Sequence, residues 1–289
     1  MSKIAIVTDS TAAIPAELVA AYNITVAPLL LIWGEKTFLD GIDIQPEEFY
    51  EKLTQSKVTP TTSQATVATF LDILKRLTDQ GYDILTIVLS SKLSGTLDSA
   101  IQAKKEFPNA TIELVDSLST SLPLAQLVLM AARAVQNGAT LNQAKALVEE
   151  ARVKMRVFFA VETLEYLHKG GRIGGAARFL GTALDLKPIL ELRDGKIEAL
   201  EKIRTTKKAQ ARLVELVEMH FDKNEKINSI GIMDADAQNG AEYLLHELKT
   251  RFKPDEIVRG TLSPVLGAHT GPGTLGVAIL AGMENDLIK

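Results

Sequence analysis

Short apolar runs alternate with stretches of helical spacing along the first half of the chain. Residues 4–7, 24–33, 84–89 and 111–115 read as strands, because each is a compact apolar or β-branched run bounded by polar or turn residues. Residues 16–22, 46–55, 66–80, 96–106, 122–136 and 141–154 read as helices. In 66–80, for example, Phe70, Leu71, Leu74 and Leu77 fall on one side. Pro15 and Pro46 sit where a first helical turn accepts proline. Residues 34–45 form a turn-rich excursion, and 59–63 (TPTTS) and 90–95 read as loops. A repeated strand, polar turn and helix predict a parallel sheet covered by helices on both faces. Three of the strands run into hydroxyl-rich turns, T-D-S-T, S-S-K-L-S-G-T and D-S-L-S-T-S. Ligands of such sheets sit at the carboxyl ends of the strands, so these turns mark a candidate rim.

The second half has a different rhythm. Strands are expected at 157–161, 189–192, 197–203, 230–233, 256–262 and 275–280, and helices at 163–168, 176–184, 206–221 and 240–252. Asp194-Gly195 between two apolar runs signals a hairpin. Lys169 to Gly175 reads as a glycine-rich turn and Gly267 to Gly273 as a loop. A hairpin with split strand–helix units predicts a smaller α/β domain with a mixed sheet. The expected division is 1–155 for an N-terminal Rossmann-like domain and 156–289 for the second domain.

The 289 residues are 46% hydrophobic and 24% charged, which excludes a disordered or fibrous chain. There is no cysteine, so disulfides, thiolate metal sites and thiol nucleophiles are absent, and four histidines leave little for a histidine-rich metal centre. The net charge of −4 (32 − 36) lacks the cationic footprint of a nucleic-acid binder. Eight of the eleven arginines fall after residue 155, which draws any anion site toward the second half. The start MSKIAIVTDS is too soon polar for a signal peptide, and the longest apolar run, 24–33, is about half a membrane span. A soluble, cytoplasmic protein without stable membrane insertion is the expectation.

Several stretches concentrate chemistry. Thr61, Thr62 and Ser63 precede a helix, where one hydroxyl suffices for a cap and three exceed that need. In Ser94-Gly95-Thr96 the glycine admits close approach to the backbone. This stretch lacks the G-x-S-x-G of a nucleophile elbow. Four glycines surround Arg172, and the chain has no phosphate-loop motif. His269 lies among glycines and a proline, off any apolar helix face. Asp234 to Gly240 has the wrong spacing for a calcium loop and reads as a strand end with a helix cap.

Together these stretches resemble the DegV family of bacterial fatty-acid-binding proteins over nearly the whole chain. The resemblance is carried by Val7-Thr8-Asp9-Ser10, Thr62-Ser63-Gln64, Leu93-Ser94-Gly95-Thr96, Val115-Asp116-Ser117, Gly170-Gly171-Arg172-Ile173, Lys187-Pro188-Ile189-Leu190, Gly195-Lys196-Ile197, Arg204-Thr205 and Gly267 to Gly273. It implies a two-domain α/β fold that holds a fatty acid such as palmitate, stearate or oleate between the domains, with the acyl chain in an apolar tunnel. It implies no other cofactor. It also implies a partner, a separate ATP-dependent fatty-acid kinase that phosphorylates the carboxylate, in the setting of phospholipid metabolism.

Carried over to this chain, Thr62 and Ser94 would hydrogen-bond the carboxylate with His269 beside it. Arg172 and Arg204 would supply positive charge, at the site or for docking the kinase. Ser63, Gly95, Thr96, Asp9, Ser10 and Gly271 would support them. The chain departs from the family at Ala65 and at Ser121-Leu122-Pro123, where larger residues would shorten or redirect the tunnel.

A sixteen-carbon tail would gain on the order of 12 kcal/mol by burial, set against an association cost of about 4–15 kcal/mol. The headgroup must therefore be well hydrogen-bonded. The residues offer no clear nucleophile–base–orienter set, which favours binding without catalysis. The alternative is a hydrolase or phosphoryl-transfer enzyme built on Ser94, His269 and Asp9 or Asp116. A purely structural module has little use for so many polar strand-end turns.

Overall fold

The computed structural model describes residues 3–181, 186–221 and 225–284. A four-stranded parallel sheet has the order β2-β1-β6-β7, formed by β1 (Lys3–Asp9), β2 (Thr25–Ala27), β6 (Tyr82–Val88) and β7 (Ile112–Asp116). Helices α3 (Val67–Asp79) and α4 (Thr96–Lys104) cover one face, and α5 (Ser121–Gln136) and α6 (Leu141–Lys154) the other. Thr66 caps α3 and Thr140 closes a capping box on α6, which explains why both helices begin close to where the sequence pattern put them.

The expected single strand over 24–33 is two strands in two sheets. Pro28 has no N–H to donate, so the parallel ladder ends at β2. The chain then turns into β3 (Leu30–Trp33), which pairs with β4 (Lys36–Leu39) and β5 (Thr61–Ser63) in a small antiparallel sheet. The expected loop at 59–63 and excursion at 34–45 therefore contain strands. Their isolated sequences are too short and too polar to announce this. The helices α1 (Ala16–Ala21) and α2 (Pro46–Gln55) are where the sequence put them.

Residues 156–281 build a six-stranded mixed sheet of order β10-β9-β8-β13-β11-β12. Its strands are β8 (Arg156–Ala160), β9 (Lys187–Arg193), β10 (Lys196–Ile203), β11 (Ile227–Asp234), β12 (Glu256–Thr261) and β13 (Leu275–Ala281). Only β11 and β12 are parallel. The hairpin β9–β10 turns on Asp194 and Gly195, both in the left-handed region. Helices α8 (Thr206–His220) and α9 (Gln238–Arg251) cover the outer face, and α7 (Glu165–Lys169) follows β8.

Two expectations change. The helical spacing over 176–184 is a 3-10 helix, Gly174–Phe179, and residues 182–184 lie outside the described residues. The loop expected at Gly267 to Gly273 is largely a short helix, α10 (Pro264–Thr270), with Pro264 in its first turn.

Helix α5 is buried on every side from Ser121 to Ala132 and almost wholly apolar there, as an enclosed helix must be. It is packed between the parallel sheet and the inner face of the mixed sheet. Its one buried amide, Gln126, donates to Ser229 Oγ at 2.9 Å, and Arg133 makes a two-pronged ion pair with Glu256 at 2.9 Å. The largest hydrophobic core accordingly runs from β1 through α5 to Met233 and Leu280 without interruption.

Candidate functional site

A narrow slot of about 100 Å³ opens where the two large sheets and the small sheet meet. Apolar side chains form most of it, among them Leu93, Val157, Phe159, Leu192, Ile197 and Val265. Its polar members gather from four places: Thr62, Ser63 and Gln64 from β5 and its exit, Ser94 from the loop after β6, Arg172 from the turn after α7, and His269 from α10. Thr120, Ser121, Thr270 and Thr274 also line it.

Thr62 Oγ1 lies 2.6 Å from His269 Nε2, a contact between residues 207 positions apart. His269 Nδ1 is buried without a partner. An unpaired lone pair is tolerated more readily than an unpaired N–H, so we assign the proton to Nε2, donating to Thr62 Oγ1. The threonine hydroxyl hydrogen is then free for a ligand. Burial, and secondarily the Arg172 cation, lower the His269 pKa to about 4, so the ring is neutral at pH 7. Gly170 makes this packing possible, because a Cβ there would stand 2.1 Å from Nδ1.

Arg172 donates from Nε to Leu93 O at 3.0 Å and from Nη1 to Gly170 O at 2.7 Å. Among the described residues no carboxylate pairs with it, and Nη2 remains available. Ser94 Oγ is 3.0 Å from Thr96 Oγ1, and the Thr96 N–H donates back to Ser94 Oγ at 3.3 Å. Gly95 is needed here as well, since a Cβ would meet Gln64 Oε1 at 2.2 Å. Gln64 in turn donates to Ser99 Oγ at 2.9 Å.

Asp9 and Ser10 stand behind the slot rather than in it. The buried Asp9 carboxylate accepts from Thr11 N and Oγ1 at 2.9 and 2.6 Å and from Leu89 N at 2.7 Å. Burial raises its pKa to about 6 against the opposing pull of these donors. Ser10 Oγ donates to Asp40 Oδ2 at 2.7 Å and accepts from Leu29 N at 3.0 Å, while Asp40 Oδ1 accepts from Val265 N at 3.1 Å. Leu29, Leu89 and Val265 all line the slot, so two buried carboxylates fix its walls through backbone amides. The importance of Asp40 was not visible in sequence, because its partners lie 30 and 225 positions away.

Gly271 ends α10 at φ +75° against the Tyr166 ring, outside the slot lining. Arg204 is not brought to the slot either. It is exposed beyond the end of β10, whereas Ile197 near the start of that strand lines the slot. Seven strand residues at about 3.3 Å each separate the two by roughly 23 Å. The residues of the alternative catalytic reading do not engage one another. His269 is paired with Thr62, Ser94 with Thr96, and Asp9 with Thr11 and Leu89, while Asp116 accepts the Ser91 and Leu118 N–H groups. Among the described residues no cluster of His, Asp or Glu could hold a metal ion. Nor is any helix among them long and apolar enough to cross a membrane.

Residues 3–282 match the profile of a family described as uncharacterised proteins, DegV family. A DegV domain-containing protein of Halalkalibacterium halodurans is 35% identical over 279 residues, covering 96% of this chain and 98% of its own. Among solved structures, a fatty-acid-binding DegV family protein from Thermus thermophilus superposes with a TM-score of 0.91 at 33% identity, covering 97% of this chain and all of that one. A stearic-acid-binding protein from Eubacterium ventriosum superposes with a TM-score of 0.86 at 27% identity, covering 97% and 98% of the two chains.

Proposed function

The chain belongs to the DegV family, and from that premise we propose that it binds one long-chain fatty acid in the slot, with the carboxylate at Thr62, Ser94, His269 and Arg172. The observation that carries this reading is the Arg172 guanidinium, without a carboxylate partner among the described residues, beside a neutral histidine at the polar end of an apolar slot. A buried carboxylate needs this combination, a charge partner and several donors. Similar solved structures, by their descriptions, bind fatty acids, one of them stearic acid.

The acyl chain runs along the apolar walls between two domains, residues 1–155 and 156–289. At about 100 Å³ the slot is smaller than the roughly 300 Å³ at the low end of small-ligand pockets, so the chain must part the walls. The β9–β10 hairpin is the wall best suited to move. It contributes Leu192 and Ile197 and is latched to the rim by Ser90 Oγ donating to Gly195 O at 2.8 Å.

The protein acts as a non-catalytic carrier that presents the carboxylate to an ATP-dependent kinase for acyl-phosphate formation. Exposed Arg204, with Lys207 and Lys208 next to it, forms part of the docking surface for that kinase. Solvent extraction and mass spectrometry of natively purified protein test the ligand. One fatty acid per chain is expected; protein that is repeatedly lipid-free and takes up neither palmitate nor oleate refutes the reading.

A further inference from the structure

Behind the slot lies a second cavity of about 330 Å³. The two share Val157 and Leu192, which stand as a partition between them. The second cavity sits where α6 passes into β8, against the β9–β10 turn and the loop after β7. Arg152, Arg156 and Arg193 line it, and their environments differ. Arg193 is paired with Glu191 at 3.1 Å. Among the described residues Arg156 donates only to the carbonyls of Val153 and Met155, at 3.0 Å each. Arg152 donates to Asp116 O at 2.6 Å, and its Nε is buried with no acceptor. Among the described residues neither Arg152 nor Arg156 has a carboxylate within ion-pair distance.

Ser119 adds a second orphan. It is 4% exposed, lines the same cavity, and its Oγ is buried without a partner. His220 also lines the cavity, with Nδ1 engaged to Leu216 O at 2.8 Å and Nε2 left over. The acidic groups facing the cavity are Glu191, already paired, and Asp194 at the exposed turn. Unsatisfied buried polar atoms are rare, and two on one cavity, both able to donate, call for an acceptor-rich occupant. Guanidinium groups select an anion with several oxygens. A phosphate presents three or four such oxygens to donors that arrive from three separate segments.

We propose that the cavity lined by Arg152, Arg156 and Ser119 binds a phosphate group. The site is separate from the fatty-acid slot and does not depend on what occupies it. Isothermal titration with inorganic phosphate at constant ionic strength, on the full chain, tests the assignment. We expect one phosphate per chain, with Arg156→Gln weakening binding about tenfold or more, the equivalent of one charged hydrogen bond. Ser119→Ala weakens it several-fold, and both variants keep the wild-type melting profile and fatty-acid content. Arg156 is exposed and bound only to local carbonyls, so its variant is expected to fold.

A vesicle arm separates the sources of the group. Retention on phosphatidic-acid vesicles that Arg156→Gln abolishes assigns a lipid headgroup, and phosphate binding without retention assigns a soluble phosphate. Absence of saturable binding below about 1 mM in both arms overturns the site, as does equal competition by chloride or unchanged affinity in Arg156→Gln.

Discussion

Replacing Thr62 by valine removes one hydroxyl and almost no volume, so it isolates the polar contribution of the slot's head. In the ligand-free protein the His269 Nε2–H loses the acceptor it has at 2.6 Å. A buried donor left unpaired costs about 1–3 kcal/mol, and for a chain of this size each kcal/mol lowers Tm by roughly 2–4 °C. In the bound state the carboxylate loses a charge-assisted donor worth about 1.5–3 kcal/mol. That converts to a Kd raised about tenfold to 150-fold. Displacement of a fluorescent fatty acid at pH 7.5 reads the affinity, and thermal melting of the delipidated protein reads the stability. Doubly substituted Lys207→Ala, Lys208→Ala is the control, since both side chains are exposed and remote from the slot. If Thr62→Val binds as wild type does, or if the lysine variant loses as much, the carboxylate is not held at Thr62.

Three further outcomes follow from the geometry. His269, with a pKa lowered to about 4, favours the folded state above pH 6.5, and this contribution of about 3 kcal/mol is lost as pH falls from 6.5 to 4. Asp9, with a pKa raised to about 6, acts in the opposite sense, adding about 3 kcal/mol as pH falls from 6 to 3.8. His269→Asn should therefore gain on wild type as the buffer is acidified through this window, and Asp9→Asn should lose on it; curves that run parallel to wild type contradict the assignment of the residue replaced. Gly170→Ala places a methyl 2.1 Å from His269 Nδ1, so the ring must shift and fatty-acid binding should fall below detection, with the far-ultraviolet circular dichroism unchanged. Normal titration by that variant would show that the imidazole position is immaterial. Leu122 packs against Gly231 and Gly260 and borders a groove of about 1040 Å³, while neighbouring Ser121 lines the slot. Leu122→Ala should cost about 2–5 kcal/mol of stability and shift preference toward longer chains in a mixed fatty-acid competition; an unaltered chain-length profile would mean the tail ends elsewhere.

The strand, hydroxyl-rich turn and helix order was legible because it is local. Apolar runs of four to seven residues, proline in first turns and Asp194-Gly195 act within one element, and those elements formed close to their expected places. The helix α10 was hidden because Gly267 inside it lowers helical propensity and glycines follow it, and the packing of Val265 and Ala268 into the core outweighs that loss. The small sheet was hidden because β5 is three polar residues whose support, pairing with β3 and the Thr62–His269 contact, comes from distant parts of the chain.

For the site, the residue patterns named Thr62, Ser94, Arg172 and His269 one by one, and only the family resemblance grouped them around one carboxylate. The chain's order dictated the chemistry available: hydroxyls at strand ends, glycines beside one arginine, and a histidine near the end. Tertiary structure alone decided that Thr62 and His269 would touch across 207 positions, that Arg172 would lie at the slot and Arg204 outside it, and that Asp9 and Asp40 would brace walls. The reason is that propensity and spacing act over one turn or one strand. A binding site is set by how three sheets and the helix between them close on a common core, and no local pattern encodes that distance.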